Sequence, residues 1–113
     1  MEIINHSKNY RDSNVTITAI EASRQLKIDL QHGETSSSFK IKLRQPNDEI
    51  FGLDILPLDI DYTCAITCAV TNLTGPILNC WRKNRGNWNA FLKCLQNQGI
   101  TLVADTLDCL RDC

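Results

Sequence analysis

No stretch of this chain approaches the ~20 consecutive apolar residues of a membrane-spanning helix. Its start, Met1-Glu2-Ile3-Ile4-Asn5-His6, has only two adjacent apolar residues, against the ~7–15 of a signal-peptide core. Catalytic signatures are missing as well. There is no His-Glu-x-x-His, no Gly-x-Ser-x-Gly and no glycine-rich phosphate loop. A catalytic cleft would be unusual in 113 residues, so the expectation is a non-enzyme. The net charge of −1 gives no global attraction to nucleic acid, and no base-reading motif is present. Two absences are regional. Residues 1–63 contain no cysteine, and no acidic residue occurs between Asp61 and Asp105.

What is present divides at the same place. All six cysteines fall in the last fifty residues or so: Cys64, Cys68, Cys80, Cys94, Cys109 and Cys113. A segment that short buries too little apolar surface to hold itself together easily, and covalent staples are the common remedy. Cysteine at this density points to an oxidising compartment, secreted or at a cell surface. The chain is then expected to be a mature form with an added methionine.

The first half reads as strands. Residues 1–14 are polar without a period and are taken as a loose arm. Val15-Thr16-Ile17-Thr18-Ala19-Ile20 alternates, as do Leu26-Lys27-Ile28-Asp29-Leu30 and Phe39-Lys40-Ile41-Lys42-Leu43. The last two runs look like hairpin partners across a Gln31–Ser38 loop. Ile50 to Leu58 is a further strand, ended by Pro57. Residues 15–58 thus predict an antiparallel sheet of three or four strands with one apolar face.

Residues 59–113 change to helical spacing. Asp59 or Asp61 is a candidate N-cap. Gly75 and Pro76 mark a boundary between a first and a second helix, and Gly86 ends the second. A third helix runs from Asn87 to Gln98, and a fourth follows the Gly99 stop. The fold class predicted is α+β: a sheet, then a disulfide-stapled bundle of four short helices.

Cysteines four apart on a helix share a face. Two such helices packed antiparallel bring Cys64 opposite Cys113 and Cys68 opposite Cys109. Cys80 and Cys94 flank the Arg85-Gly86-Asn87 turn and can close across it. The nested pairing Cys64–Cys113, Cys68–Cys109, Cys80–Cys94 is therefore preferred among the fifteen possible. The alternative use of these thiols is a soft-metal site, although His6 and His32 lie too far away in sequence to assist. No metal or cofactor is expected. With no Cys-x-x-Cys, redox catalysis is disfavoured.

The nested order of six cysteines on short helices resembles the saposin-like plan of lipid-binding and membrane-active domains. The runs Cys64-Ala65-Ile66-Thr67-Cys68-Ala69-Val70 and Gly75-Pro76-Ile77 resemble the helical cysteine-rich bacteriocins of the halocin type, whose peptide follows an N-terminal section in one precursor. Both likenesses are confined to residues 62–113. They imply a membrane-active helical half and a sheet that is a propiece or a mask.

One segment suits that role. In Trp81-Arg82-Lys83-Asn84-Arg85-Gly86-Asn87-Trp88 the tryptophans bracket three cations, and Lys93 follows. Indoles prefer the bilayer interface, and cations are drawn to anionic lipid. Trp81, Arg82, Lys83, Arg85, Trp88 and Lys93 are the candidate contacts with an anionic membrane or a protein partner. The competing reading makes both tryptophans core residues and the charges a solvated helix end. A binding module for lipid or protein, and a thiolate metal carrier, are the alternatives to antimicrobial activity.

Overall fold

The computed structural model describes residues 2–8, 13–44, 53–59, 63–85 and 87–112. Five strands, β1 (Glu2–Lys8), β2 (Ser13–Ile20), β3 (Gln25–His32), β4 (Thr35–Leu43) and β5 (Leu53–Asp59), precede two helices, α1 (Thr63–Lys83) and α2 (Trp88–Arg111). The strands form one antiparallel meander in the order β1-β2-β3-β4-β5. The α+β class and the sheet-then-helix order agree with the sequence reading.

Alternation in the sequence becomes rows of side chains on one face. Ile17 pairs with Ile28, and Ile28 with Phe39. Beside that row, Ala19 pairs with Leu26 and Leu26 with Ile41. All six are buried, while Thr16, Thr18, Lys27 and Lys40 on the opposite face are not. A strand has a side-chain period of two, so this register places Val15, Ile17, Ala19 and the apolar residues of the other two runs on the core side, with Ile20 on the opposite face.

The sheet is larger than expected. Glu2–Lys8, read as part of the loose arm, pair with β2 from Lys8↔Ser13 to Glu2↔Thr18, with a register shift between Glu2 and Ile4. The expected Gln31–Ser38 loop shrinks to Gly33 and Glu34, because pairing continues to His32↔Thr35. Gly33 has φ +62°, the left-handed geometry that a two-residue hairpin loop needs at its first position. Pro57 does not end the last strand. It lies within β5 opposite Phe39, next to a register shift. A sheet edge tolerates its missing N–H.

Among the described residues the helical half has three helical segments, not four. α1 runs through Gly75 and Pro76 without a boundary. Proline inside a helix removes one backbone hydrogen bond and crowds the preceding turn, at a cost of about 3 kcal/mol. Against this, Ala65, Ala69, Leu73, Ile77 and Trp81 recur every four residues on one stripe, and all are buried. Breaking the helix at Pro76 would divide that stripe. The Gly99 stop holds in modified form: Gly99 takes φ +48° and ψ −126°, and interrupts α2 there. Asn87 caps α2, its side-chain oxygen accepting from the Ala90 N–H at 3.0 Å. Asp59, one candidate cap for the first helix, is the last residue of β5. Asp61 and Gly86 lie outside the described residues.

The apolar stripes of both helices and the apolar face of the sheet form a single cluster of buried residues. Trp81 reinforces the join, since its Nε1 donates to the Arg44 backbone carbonyl at 2.8 Å.

Candidate interaction site at the turn between the helices

The disulfides set the frame for this end of the molecule. Cys68 is bonded to Cys109 and Cys80 to Cys94, with Cα separations of 5.7 and 5.8 Å. Both are pairs the helix geometry predicted. Cys64 is also disulfide-bonded. Cys113, the partner proposed for it, lies outside the described residues. With Cys68, Cys80, Cys94 and Cys109 held as disulfides, those thiolates are not available to a metal. Among the described residues, no three metal-ligating side chains gather.

The two tryptophans do not form a projecting tip. Trp81 is 0% exposed and Trp88 5%. Trp81 meets Trp88 edge-on at 6.5 Å between centroids and Phe91 at 5.2 Å, while Trp88 and Phe91 lie 5.6 Å apart. The guanidinium of Arg24 sits 5.5 Å from the Trp88 ring centre, a cation–π contact with the ring face. The physical reason for the inward placement is periodicity. Trp81 continues the Leu73–Ile77 stripe, and Trp88 begins the stripe that Phe91, Leu92 and Leu95 continue. The indoles are thus occupied by each other, by Phe91 and by Arg24.

The three cations between them, and Lys93 beyond Trp88, face the other way. Arg82, Lys83, Arg85 and Lys93 are all exposed. Arg82 and Lys83 occupy the last turn of α1, where positive charge suits the helix dipole. The Asn84 side chain donates to the Cys80 carbonyl at 2.8 Å, a second bond beside that from the Asn84 backbone N–H at 3.2 Å. Arg85 takes φ +51°, the left-handed residue that commonly follows a helix C-terminus. Between the end of α1 and the first turns of α2 lies a groove of about 400 Å³, lined by Lys83, Asn84, Ala90, Lys93, Cys94, Asn97 and Gln98. Every charged residue in that lining is a lysine. Gln98 reaches beneath it, its Nε2 lying 3.1 Å from Cys80 Sγ and 3.9 Å from Cys94 Sγ.

The sequence reading gathered Lys83, Lys93, Arg82 and Arg85 at one end; of its two readings of the indoles, the burial of Trp81 and Trp88 matches the one that makes them core residues and not the one that makes them contacts. It missed Gln98, Asn84 and Arg24. Gln98 had a usable signal, because it lies four residues beyond Cys94 on the same helix face. Nothing in the sequence singles out Arg24, whose position depends on the β2–β3 connection.

No protein-family model matches this chain, no curated protein matches it, and no solved structure matches it. Among the described residues, no helix is long and apolar enough to cross a membrane. The fold and the site define a disulfide-stapled α+β domain with a cationic end.

Proposed function

We propose that the protein is a secreted, non-enzymatic binding module that attaches to anionic membrane surfaces through Arg82, Lys83, Arg85 and Lys93. The observation that carries this reading is the exposure of all four cations around one turn, in a segment with no acid between Asp61 and Asp105. Each Lys or Arg near an anionic bilayer contributes about 1 kcal/mol, so four together support peripheral, salt-sensitive attachment. Because Trp81 and Trp88 lie in the core, attachment proceeds through charge and without indole insertion. Lysis of the bacteriocin kind would need the helical stripe to leave the sheet, which exposes the whole shared core.

The test uses the full oxidised chain and vesicles with and without anionic lipid. Binding to the anionic vesicles is expected to weaken steeply as salt rises. The double substitution Lys83→Glu, Lys93→Glu is expected to lower it at least about tenfold. Dye release should stay at background. Equal binding to neutral vesicles would overturn the electrostatic reading, and dye release at micromolar protein would restore the antimicrobial one.

A further inference from the structure

The Cys80–Cys94 disulfide differs from a plain staple in its surroundings. Its two cysteines are unequally presented: Cys80 is 1% exposed, whereas Cys94 is partly exposed and lines the cationic groove. Lys83 and Lys93 stand in the same lining. Gln98 directs its amide at the buried sulfur, 3.1 Å from Cys80 Sγ. Thiol–disulfide exchange requires an attacking thiolate, an accessible sulfur and a stabilised leaving thiolate. The groove supplies a route to one sulfur only, charge to hold an anionic reagent, and a donor for the sulfur that leaves.

We propose that Cys94 is a site of S-thiolation by small anionic thiols of the glutathione type. The thiolate attacks Cys94 Sγ and forms a new S–S bond there. The Cys80–Cys94 bond breaks, and its electron pair goes to Cys80. The Cys80 thiolate accepts the Gln98 N–H and then takes up one proton. One thiol is consumed and one is released. The incoming sulfur is oxidised to the disulfide level as Cys80 is reduced, so no further oxidant enters. Lys83 and Lys93 hold the carboxylates of the reagent. This inference rests on the groove and stands apart from the membrane reading.

The molecule contains its own control. In the Cys68–Cys109 disulfide, Cys68 is 2% exposed and Cys109 partly exposed, a similar asymmetry. Its helix carries Asp105, Asp108 and Asp112 within four residues of Cys109, against Arg111 alone. Arg111 lies 3.6 Å from Asp112. That environment repels an anionic thiol.

The experiment exposes the full oxidised chain to glutathione or to cysteamine, a cationic thiol, at equal thiolate concentration. Acid quenching and peptide mass mapping then locate the adducts. Cys64 is exposed, so adducts there are set aside and the quantity read is the glutathione-to-cysteamine ratio at Cys80–Cys94 and at Cys68–Cys109. Two lysines at about 6 Å in water favour the anion by about tenfold. The ratio at Cys80–Cys94 should exceed that at Cys68–Cys109 by at least that factor, with the adduct on Cys94 and the free thiol on Cys80. Lys83→Glu with Lys93→Glu should reverse the preference. Gln98→Leu should slow exchange with both thiols by about threefold to tenfold, and circular dichroism checks that the fold persists. Equal ratios at the two disulfides, an adduct on Cys80, or no effect of Gln98→Leu in a folded variant would overturn the proposal.

Discussion

The sheet and the helical pair are neighbours in one core, yet they are held by different means. Among the described residues the sheet contains no cysteine and relies on backbone pairing plus rows such as Ile17–Ile28–Phe39. The helices carry every described cysteine and are tied at both ends of their contact, by Cys68–Cys109 and by Cys80–Cys94. The lesson concerns where each kind of glue acts. A ladder has its partner strand adjacent in the chain and forms bonds at each residue. Two helices joined by a turn share only side chains, and the two disulfides add to these by constraining the unfolded chain.

The largest effects come from the shared core. Phe39→Ala on the sheet side and Trp81→Ala on the helix side should each cost about 3–5 kcal/mol, read by urea denaturation. Loss of strand and helix signals should coincide in both variants, because one cluster contains both residues. Separate transitions would show that the comparison is between two independent units. Next come the staples. Replacing both cysteines by alanine should cost about 4 kcal/mol for Cys68–Cys109 and about 3 kcal/mol for Cys80–Cys94. The difference follows from sequence separations of 41 and 14, and thermal melts of the two double variants would measure it.

A smaller effect sharpens the account of α1. Gly75 is exposed, and a Cβ there meets nothing within 4 Å. Gly75→Ala should therefore stabilise the protein by about 0.4–1 kcal/mol, with a matching rise in melting temperature. A loss of stability would mean that the glycine relieves the crowding at Pro76. The smallest effect belongs to the sheet edge. Arg44 donates two hydrogen bonds to Asp54, at 2.6 and 3.2 Å, and this bond holds the Asp54 carboxyl below its ordinary value. A carboxyl lowered by folding contributes stability above its unfolded value. That contribution is lost as pH falls through the lowered one. Asp54→Asn should slightly flatten the acid limb of a stability–pH curve and leave the neutral-to-basic side unchanged in slope.

Much of this was legible because the period-two runs at 15–19, 26–30 and 39–43 allow only one face to be buried. β1 was not, since Ile3 and Ile4 are adjacent and give no alternation. Its pairing with β2 is a tertiary event with a register shift. Gly75-Pro76 looked like a boundary by local chemistry, and the buried stripe from Ala65 to Trp81 outweighed it. The candidate site was half legible. Spacing brought the four cations and the Cys80–Cys94 link together. The direction of each tryptophan depended on which helical stripe it joined, and for Trp81 the full stripe from Ala65 is visible only because α1 does not stop at Pro76.

The meander order also has a temporal meaning. Each strand pairs with the strand just before it, and the Cys80–Cys94 span lies wholly inside the Cys68–Cys109 span. A chain emerging from its N-terminus can add one strand at a time, with no strand waiting for a later one. The helices can then zip from their turn outward, the inner bond forming before the outer one. Among the described strands and the two described disulfides nothing has to be threaded or undone, so vectorial synthesis and oxidative closure proceed in the same direction.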